Sequence, residues 1–250
     1  MNPEFTRLYG YSADEVVGKT TPRVLKSGKM APEDYRLYWQ ALLGKEAVRG
    51  ELVNRTKDGR SITVEGSANA VLDDRDAIVG FLAVQRDVSE RKVMEAKLVD
   101  VSTHDVLTGL YNRRFFEEEM ARLQRGRQFP VSIIMADLNR LKETNDREGH
   151  AAGDALIQRA AQVMTSAFRA EDIIARIGGD EVAILLPGID AAAAEQSVCR
   201  VQVALDKHNA TQSGTPLSIA FGVSTAAQGA SLGDTLIEAD ALMYVDKGSR

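Results

Sequence analysis

The sequence predicts a mixed α/β protein built from two dissimilar halves. In the first half, residues 48–88 alternate apolar and polar side chains on both sides of a turn at residues 57–59, which is typical of an antiparallel sheet. In the second half, continuous apolar runs such as residues 131–138 alternate with segments of helical periodicity. Runs of this kind indicate strands buried on both faces. We therefore expect an antiparallel sheet with helices, followed by a mixed sheet flanked by helices.

The first half contributes three predicted strands. Ile62, Val64 and Ala68 recur with a period of two, as residues on one face of a strand do. The turn Lys57-Asp58-Gly59 separates the first two strands, so these should form a hairpin. The predicted strands span residues 48–56, 60–72 and 77–88.

A charged segment without Gly or Pro joins the two halves, at residues 88–103. Met94, Leu98 and Val101 follow one another at spacings of four and three, which predicts a helix with a short coiled-coil seam. The alternative is a helix packed on its own domain. This pattern gives a domain division of 1–92, a linker at 93–104, and 105–250.

The second half alternates predicted strands and helices. In the helix predicted near residues 153–169, Leu156, Ala160 and Met164 lie on one face. The strands are expected at residues 131–138, 172–177, 181–187 and 216–224, and the helices near 113–125, 153–169, 191–209 and 232–247.

A hairpin tip carries the most informative residues of the chain, Gly178-Gly179-Asp180-Glu181. Paired glycines accept positive φ and lack a Cβ, so backbone N–H groups can approach a phosphate. Adjacent carboxylates can hold a hard cation beside it. The same four residue types also occur in plain turns. Asp137 ends the apolar run 131–138, so it could meet Asp180 and complete a site for a nucleotide and a metal ion.

Four motifs in this order resemble the GGDEF family of diguanylate cyclases. They are Asp105–Arg114, Asp137–Asp154, Gly178–Glu181 and Ala239–Lys247. The resemblance implies a palm-like mixed sheet and an enzyme that joins two GTP molecules into cyclic di-GMP with release of two pyrophosphates. It also implies that Asp137, the Leu138 carbonyl, Asp180 and Glu181 bind Mg²⁺ or Mn²⁺. Asp180 is the preferred general base, although the sequence leaves Glu181 and a metal-bound hydroxide open.

The resemblance also assigns residues that bind the substrate. Asn145 and Asp154 would read guanine, whose N1–H and N2–H donors suit a carboxylate, although Asp154 could instead cap a helix. Contacts to the nucleotide phosphates are implied for Gly178 and Gly179 and for Lys142 and Lys247, although each lysine could also be an ordinary solvated side chain. The resemblance also implies substrate binding by His150, although this residue is equally consistent with a structural role in a loop.

Two positions depart from the family pattern, and two more indicate regulation. Val182 stands where the family has Phe, and we expect activity to survive because a β-branched residue suits the start of a strand. Arg250 stands one position before the family's usual phosphate-binding arginine. Arg169 and Asp172 match the family's Arg-x-x-Asp inhibitory site for cyclic di-GMP, although such a pair is also common at helix ends.

The first half resembles a PAS sensor domain over most of residues 2–92. The resemblance rests on Asn2–Phe5, Tyr9–Gly18, Trp39, Lys57–Gly59 and Arg86–Lys92. Counterparts of the family's first strands are not found, so a truncated chain or a partner that completes the sheet is expected. All histidines and the only cysteine lie outside this half, which supports neither a haem held by an internal histidine nor a flavin adduct. Its ligand is left unknown.

The composition and charge of the chain narrow the functional classes to which it can belong. The net charge of −5 divides into +1 over residues 1–92 (15 basic minus 14 acidic residues) and −6 over residues 93–250 (16 minus 22), which argues against nucleic-acid binding. No signal peptide or long apolar run is present, so we expect no membrane association. The single cysteine, Cys199, excludes a disulfide within the chain and fits a cytoplasmic protein.

Together the two resemblances imply a homodimeric diguanylate cyclase that takes GTP, is regulated by its PAS domain, and is inhibited by its product. Two alternatives remain: a catalytically silent GGDEF module that binds GTP or cyclic di-GMP, and a PAS protein that only dimerises and signals.

Overall fold

The computed structural model of the protein describes residues 1–169, 171–212 and 214–249. The chain divides into two compact units, Met1–Lys97 and Leu98–Arg250. Each unit has its own sheet and its own hydrophobic core. Among the described residues, no helix combines the length and the apolar character needed to cross a membrane.

The first unit consists of short helices followed by a three-stranded antiparallel sheet of order β1-β2-β3. Each strand lies within one residue of its predicted bounds at either end. The elements are α1 (Pro3–Tyr9), α2 (Ala13–Val16), a 3-10 helix (Pro22–Leu25), α3 (Pro32–Leu43), β1 (Val48–Arg55), β2 (Ser61–Leu72) and β3 (Ile78–Asp87).

A small core holds this unit together around Tyr9, which is 2% exposed. The Tyr9 hydroxyl donates to Oε1 of Gln85 at 2.6 Å and accepts from Nδ2 of Asn54 at 2.8 Å. Because a buried hydroxyl is costly without partners, these bonds let the ring pack against Leu25, Ile62 and Val64. Burial raises the pKa of Tyr9, and the hydrogen bond from Asn54 opposes that effect.

The second unit contains a five-stranded sheet of order β4-β6-β7-β5-β8, in which only β4 and β6 pair in parallel. The helix α4 (Ser89–Thr103) precedes it and contains the division between the two units. The remaining elements are β4 (Tyr111–Asn112), α5 (Arg113–Arg125), β5 (Val131–Leu138), α6 (Leu141–Glu148), α7 (His150–Ala167), β6 (Ile173–Arg176), β7 (Glu181–Pro187), α8 (Ala191–Thr211), β8 (Ile219–Ala226) and α9 (Leu232–Ser249).

The central strand β5 is buried along its whole length. Ile134, Ala136 and Leu138 join the core formed with α7 and α8, whereas Ile133 and Met135 join the core on the other face, with α5 and α9. The apolar run predicted for 131–138 therefore reflects a strand covered on both faces. Its last residues are consequently held at a fixed position at the edge of the core.

The helix α9 lies close against β8, the edge strand of the sheet. A Cβ on Gly222 would come within 2.0 Å of the Ala239 carbonyl oxygen and 2.2 Å of the Met243 nitrogen, so the approach requires glycine. At the start of α9, the Leu232 amide donates to Oε1 of Gln124 at 2.6 Å. Near its end, the Phe221 amide of β8 donates to Oδ2 of Asp246 at 3.0 Å.

The segment after β5 differs from the prediction in two respects. Residues 141–148 form α6, a helix that was not among those predicted. The next helix begins at His150 instead of near Gly153, and Gly149 is its N-cap residue. Only Thr144 of α6 is buried, so this helix lacks the apolar periodicity by which a helix is recognised in a sequence.

Candidate active site

The glycine-containing hairpin tip lies between β6 and β7 and is fixed by Arg176. The guanidinium of Arg176 donates from Nε to the Gly178 carbonyl at 3.1 Å and from Nη2 to the Gly179 carbonyl at 2.8 Å. Neither glycine adopts positive φ, so the conformational freedom expected at this turn is not used. What matters at Gly178 is the missing side chain, because a Cβ there would lie 2.5 Å from Oε2 of Glu181.

Asp137 lies beside this tip, at the end of β5. Its Cα is paired in register with that of Glu181, and the Leu138 amide donates to the Asp180 carbonyl at 3.0 Å. The two strand ends therefore bring all three acidic residues to one edge of the sheet. Asp137 is only 5% exposed.

Lys247 of α9 reaches Asp137. Its Nζ lies 2.7 Å from Oδ1 of Asp137, and this contact raises the pKa of Lys247. The same Oδ1 is buried and accepts no hydrogen bond from any other described residue. Because a buried carboxylate oxygen is costly without a positive partner, Asp137 is suited to bind a cation, and Lys247 supplies that positive charge in this structure.

Negative charge accumulates around Glu181. Burial raises the pKa of this carboxyl most, and Asp180, Asp137 and Asp240 raise it further by repulsion, while Lys247 lowers it. Asp240 belongs to the motif Ala239–Lys247, but no role was predicted for it. A carboxyl whose pKa is raised by burial and by neighbouring acids, as that of Glu181 is, is a frequent mark of functional sites.

Oxygen donors of this type suit hard divalent cations such as Mg²⁺. Across the described ranges, however, no three Asp, Glu, His or Cys side chains are gathered closely enough to constitute a metal site. Metal binding by Asp137, the Leu138 carbonyl, Asp180 and Glu181 therefore stays a prediction. The buried oxygen of Asp137 is the observation that fits it.

The two predicted guanine-reading residues lie on facing helices. Asn145 of α6 contacts α7 at Gly153, where a Cβ would come within 2.0 Å of Oδ1 of Asn145. Asp154 follows directly in the chain and is exposed. It lies in the second turn of α7, which excludes the helix-capping role considered for it.

Lys142 and His150 are less closely tied to the site. Lys142 is exposed on the first turn of α6, and His150 is exposed as the first residue of α7. Neither side chain forms a hydrogen bond or ion pair with any residue that the structure describes. Because His150 begins α7, the loop position considered for it is wrong. Arg250 lies outside the described residues.

The residue that sequence reasoning missed is Arg176. Besides holding the tip, its Nη1 donates to Oδ1 of Asp105 at 3.1 Å. That same oxygen accepts from the amide of Thr108 at 3.0 Å and from its hydroxyl at 2.7 Å. The first of the four motifs is thus bonded to the third. Asp105 had been quoted only for the resemblance, and no local pattern links residues 71 positions apart.

Arg169 and Asp172 lie away from the hairpin tip. They line a separate cavity of about 250 Å³, together with His104, Tyr111 and Phe168. The Asp172 Oδ2 accepts from the Arg169 amide at 2.9 Å, and the Arg169 side chain is 70% exposed. The arrangement leaves the guanidinium accessible to a ligand.

Comparison with known proteins assigns both units. Residues 102–250 match the family model described as diguanylate cyclase, GGDEF domain, and residues 1–88 match that of the PAS fold. The probable diguanylate cyclase DgcE of Escherichia coli strain K12 is 30% identical over 243 residues, which is 95% of this chain and 21% of DgcE. The chain thus spans about a fifth of that relative's length.

Two solved structures agree with the fold. The coiled coil and GGDEF domain of DgcB from Caulobacter crescentus, in complex with c-di-GMP, aligns with a TM-score of 0.59 at 23% identity over 65% of this chain and 89% of that chain. A microbial GGDEF domain in a structure with cyclic di-GMP aligns with a TM-score of 0.53 at 29% identity over 61% and 94%. The predicted mixed α/β architecture is confirmed.

Proposed function

The chain belongs to the GGDEF family, and from this premise we propose that it is a diguanylate cyclase that condenses two GTP molecules into cyclic di-GMP with release of two pyrophosphates. The observation that carries the proposal is the buried Oδ1 of Asp137, which faces Lys247 beside Asp180 and Glu181. A buried carboxylate next to two further acids at this edge of the sheet is suited to hold a divalent cation beside a nucleotide.

In this proposal the carboxylates hold a divalent cation and the tip holds the triphosphate. Asp137, the Leu138 carbonyl, Asp180 and Glu181 are the ligands. The bound Mg²⁺ or Mn²⁺ would offset the charge that develops on the leaving pyrophosphate. Lys247 adds positive charge at the same place, and the absence of a Cβ on Gly178 keeps Glu181 close to the backbone of the tip. Asp180 is the proposed acceptor of the 3′-hydroxyl proton, with Glu181 as the alternative.

Selection of guanine is assigned to Asn145 and Asp154. Asp154 can accept hydrogen bonds from N1–H and N2–H of guanine, and adenine lacks this pair of donors. Asn145 supplies an amide close to the same turn of α7, because its side chain contacts Gly153. We place Lys142 and His150 at the rim of this site as phosphate contacts.

Cyclic di-GMP formation needs two copies of the chain, each holding one GTP. Met94, Leu98 and Val101 of α4 are 65%, 70% and 62% exposed, as expected of apolar residues that await a second helix. We propose a homodimer through this seam, with the PAS unit controlling its geometry. Single cysteines at Met94 and Leu98, introduced in a Cys199→Ser background because Cys199 is itself exposed, should crosslink two chains. Failure of both to crosslink would contradict the seam.

Product inhibition is assigned to Arg169 and Asp172. Arg169 offers a guanidinium for a phosphate or a guanine edge, and Asp172 offers a carboxylate for the guanine donors. Cyclic di-GMP bound there would inhibit by keeping the two catalytic units apart. Arg169→Ala should relieve inhibition by added product without lowering the initial rate.

The central test is incubation of the purified chain with GTP and Mg²⁺, followed by chromatographic and mass-spectrometric detection of cyclic di-GMP. Asp180→Asn should abolish the product, whereas Glu195→Gln, the same loss of charge at an exposed position on α8, should not. ATP should give no cyclic product. GTP binding without turnover would indicate a silent GGDEF module, and absence of both would leave only a PAS signalling role.

A further inference from the structure

The end of α9 is held in place by a residue that the proposed reaction does not otherwise use. Asp246 directly precedes Lys247, and its Oδ2 accepts a hydrogen bond from the amide of Phe221 at 3.0 Å. Phe221 lies on β8, and among the residues that the structure describes this strand pairs only with β5. The carboxylate of Asp246 therefore satisfies an outward-pointing backbone donor of an edge strand, where such donors are otherwise left to water.

The rest of α9 is fixed by other means. The side chain of Gln124 holds the N-terminus of α9, because it accepts a hydrogen bond from the Leu232 amide and donates one to the Ala230 carbonyl at 3.0 Å. Its middle packs on β8 where Gly222 lets the two backbones meet. The last turn includes two exposed residues, Val245 at 69% and Gly248, so packing contributes little to holding it. The Asp246 bond attaches this turn to the edge strand β8, and Lys247 attaches it to Asp137 of β5.

The contact of Lys247 with Asp137 depends on the position of this turn. Its side chain is 40% exposed and bridges from the helix to Oδ1 of Asp137, which is buried. A long, flexible side chain loses conformational entropy when it is held in one place, so the position of its Cα decides how well the contact forms. Without the Asp246 bond, the end of α9 can fray and carry Lys247 away from the site.

We propose that Asp246 is a positioning residue for the nucleotide site, acting through Lys247 by anchoring the last turn of α9 to β8. The proposal rests on the proposed function, since it makes Lys247 a contact of the GTP phosphates. It assigns to Asp246 no contact with substrate, metal or the reacting atoms.

A double-mutant cycle tests the proposal in the whole chain of 250 residues. Asp246→Ala should lower kcat/KM for GTP by about tenfold, chiefly by raising KM. Asp246→Asn retains an oxygen acceptor for the Phe221 amide and should stay within about threefold of the wild-type value. In a Lys247→Ala background, Asp246→Ala should cause less than about a twofold further loss, because the residue through which it acts is already gone.

Three results would overturn the proposal. They are an equal loss from Asp246→Ala with and without Lys247, an Asn variant as poor as the Ala variant, and an Ala variant with unchanged kcat/KM. If the Ala variant does not fold, Asp246→Ser takes its place in the same cycle. If no variant forms cyclic di-GMP, the proposed function fails, and calorimetric GTP affinity of the four proteins tests the coupling of Asp246 to Lys247 independently.

Discussion

Asp105 and Arg176 form an ion pair at 3.1 Å that connects the segment following α4 to the hairpin tip. Both side chains are largely buried, at 25% and 16% exposure. Arg176 uses its remaining donors on the Gly178 and Gly179 carbonyls, so one guanidinium joins two parts of the unit that are far apart in sequence.

Arg176→Lys should reduce both stability and activity. Lysine keeps the charge but cannot bind Asp105 and two carbonyls at once, so partly buried acceptors lose their donors. We expect a loss of about 1–3 kcal/mol in the free energy of unfolding, measured by chemical denaturation. The control is Arg114→Lys, since Arg114 pairs with Glu118 on the exposed face of α5 and should change stability by less than about 0.5 kcal/mol. Equal effects from the two variants would contradict a special role for Arg176.

Asp105 should make stability depend on acidic pH. Burial raises the pKa of this carboxyl, but the hydrogen bonds from Thr108 and Arg176 outweigh burial and hold the pKa below its usual value. A carboxyl with a lower pKa in the folded state stabilises the protein above its unfolded pKa, which is about 4, and loses that contribution as pH falls through the folded value. The difference in unfolding free energy between wild type and Asp105→Asn should thus be largest and nearly constant above about pH 5, and it should shrink as the pH falls below about 4. A difference that stays constant well below about pH 4 would be inconsistent with this origin.

Gly222→Ala should destabilise the second unit strongly. The added Cβ would collide with the backbone of α9 at Ala239 and Met243, which no side-chain rotation can relieve. We expect a loss of about 1–3 kcal/mol or more, as for overpacked cores. Gly248→Ala, at a helical position with nothing within 4 Å of the added Cβ, should leave the thermal midpoint unchanged or slightly higher. Similar midpoints for the two variants would show that α9 can move away from β8.

Gly153→Ala should separate substrate affinity from stability. The added Cβ meets the end of the Asn145 side chain, which can rotate away, while alanine favours the helix by about 1 kcal/mol over glycine. The melting temperature should stay the same or rise, and KM for GTP should increase because Asn145 is displaced. A melting temperature that falls by several degrees would mean that the backbones of α6 and α7 shift instead. Wild-type KM with unchanged stability would remove Asn145 from the guanine site.

The strands and most helices were predictable because their residues carry clear periods. The residues of β5 are apolar throughout since both faces are covered, and the strands of the first unit alternate because one face is exposed. The helix α6 was not predicted because seven of its eight residues are polar and only Thr144 is buried. Its formation depends on contact with α7, which a local window does not include.

The candidate site was predictable only in part, for a similar reason. Local sequence patterns identify three of its residues: Asp137 lies at a strand end, and Asp180 and Lys247 lie in recognised motifs. The contacts of Arg176 and Asp246 are made with Asp105 and Phe221, which lie 71 and 25 positions away in the sequence. Nothing in the neighbouring residues of either position encodes that distance.

The contact between Lys247 and Asp137 gives the site an internal counterion. A divalent cation that binds this carboxylate must compete with a tethered ammonium group as well as with water, and the ammonium it displaces then becomes available to an incoming anion. Cation and nucleotide should accordingly enter as a cooperative pair, with each one raising the apparent affinity of the other through the same lysine.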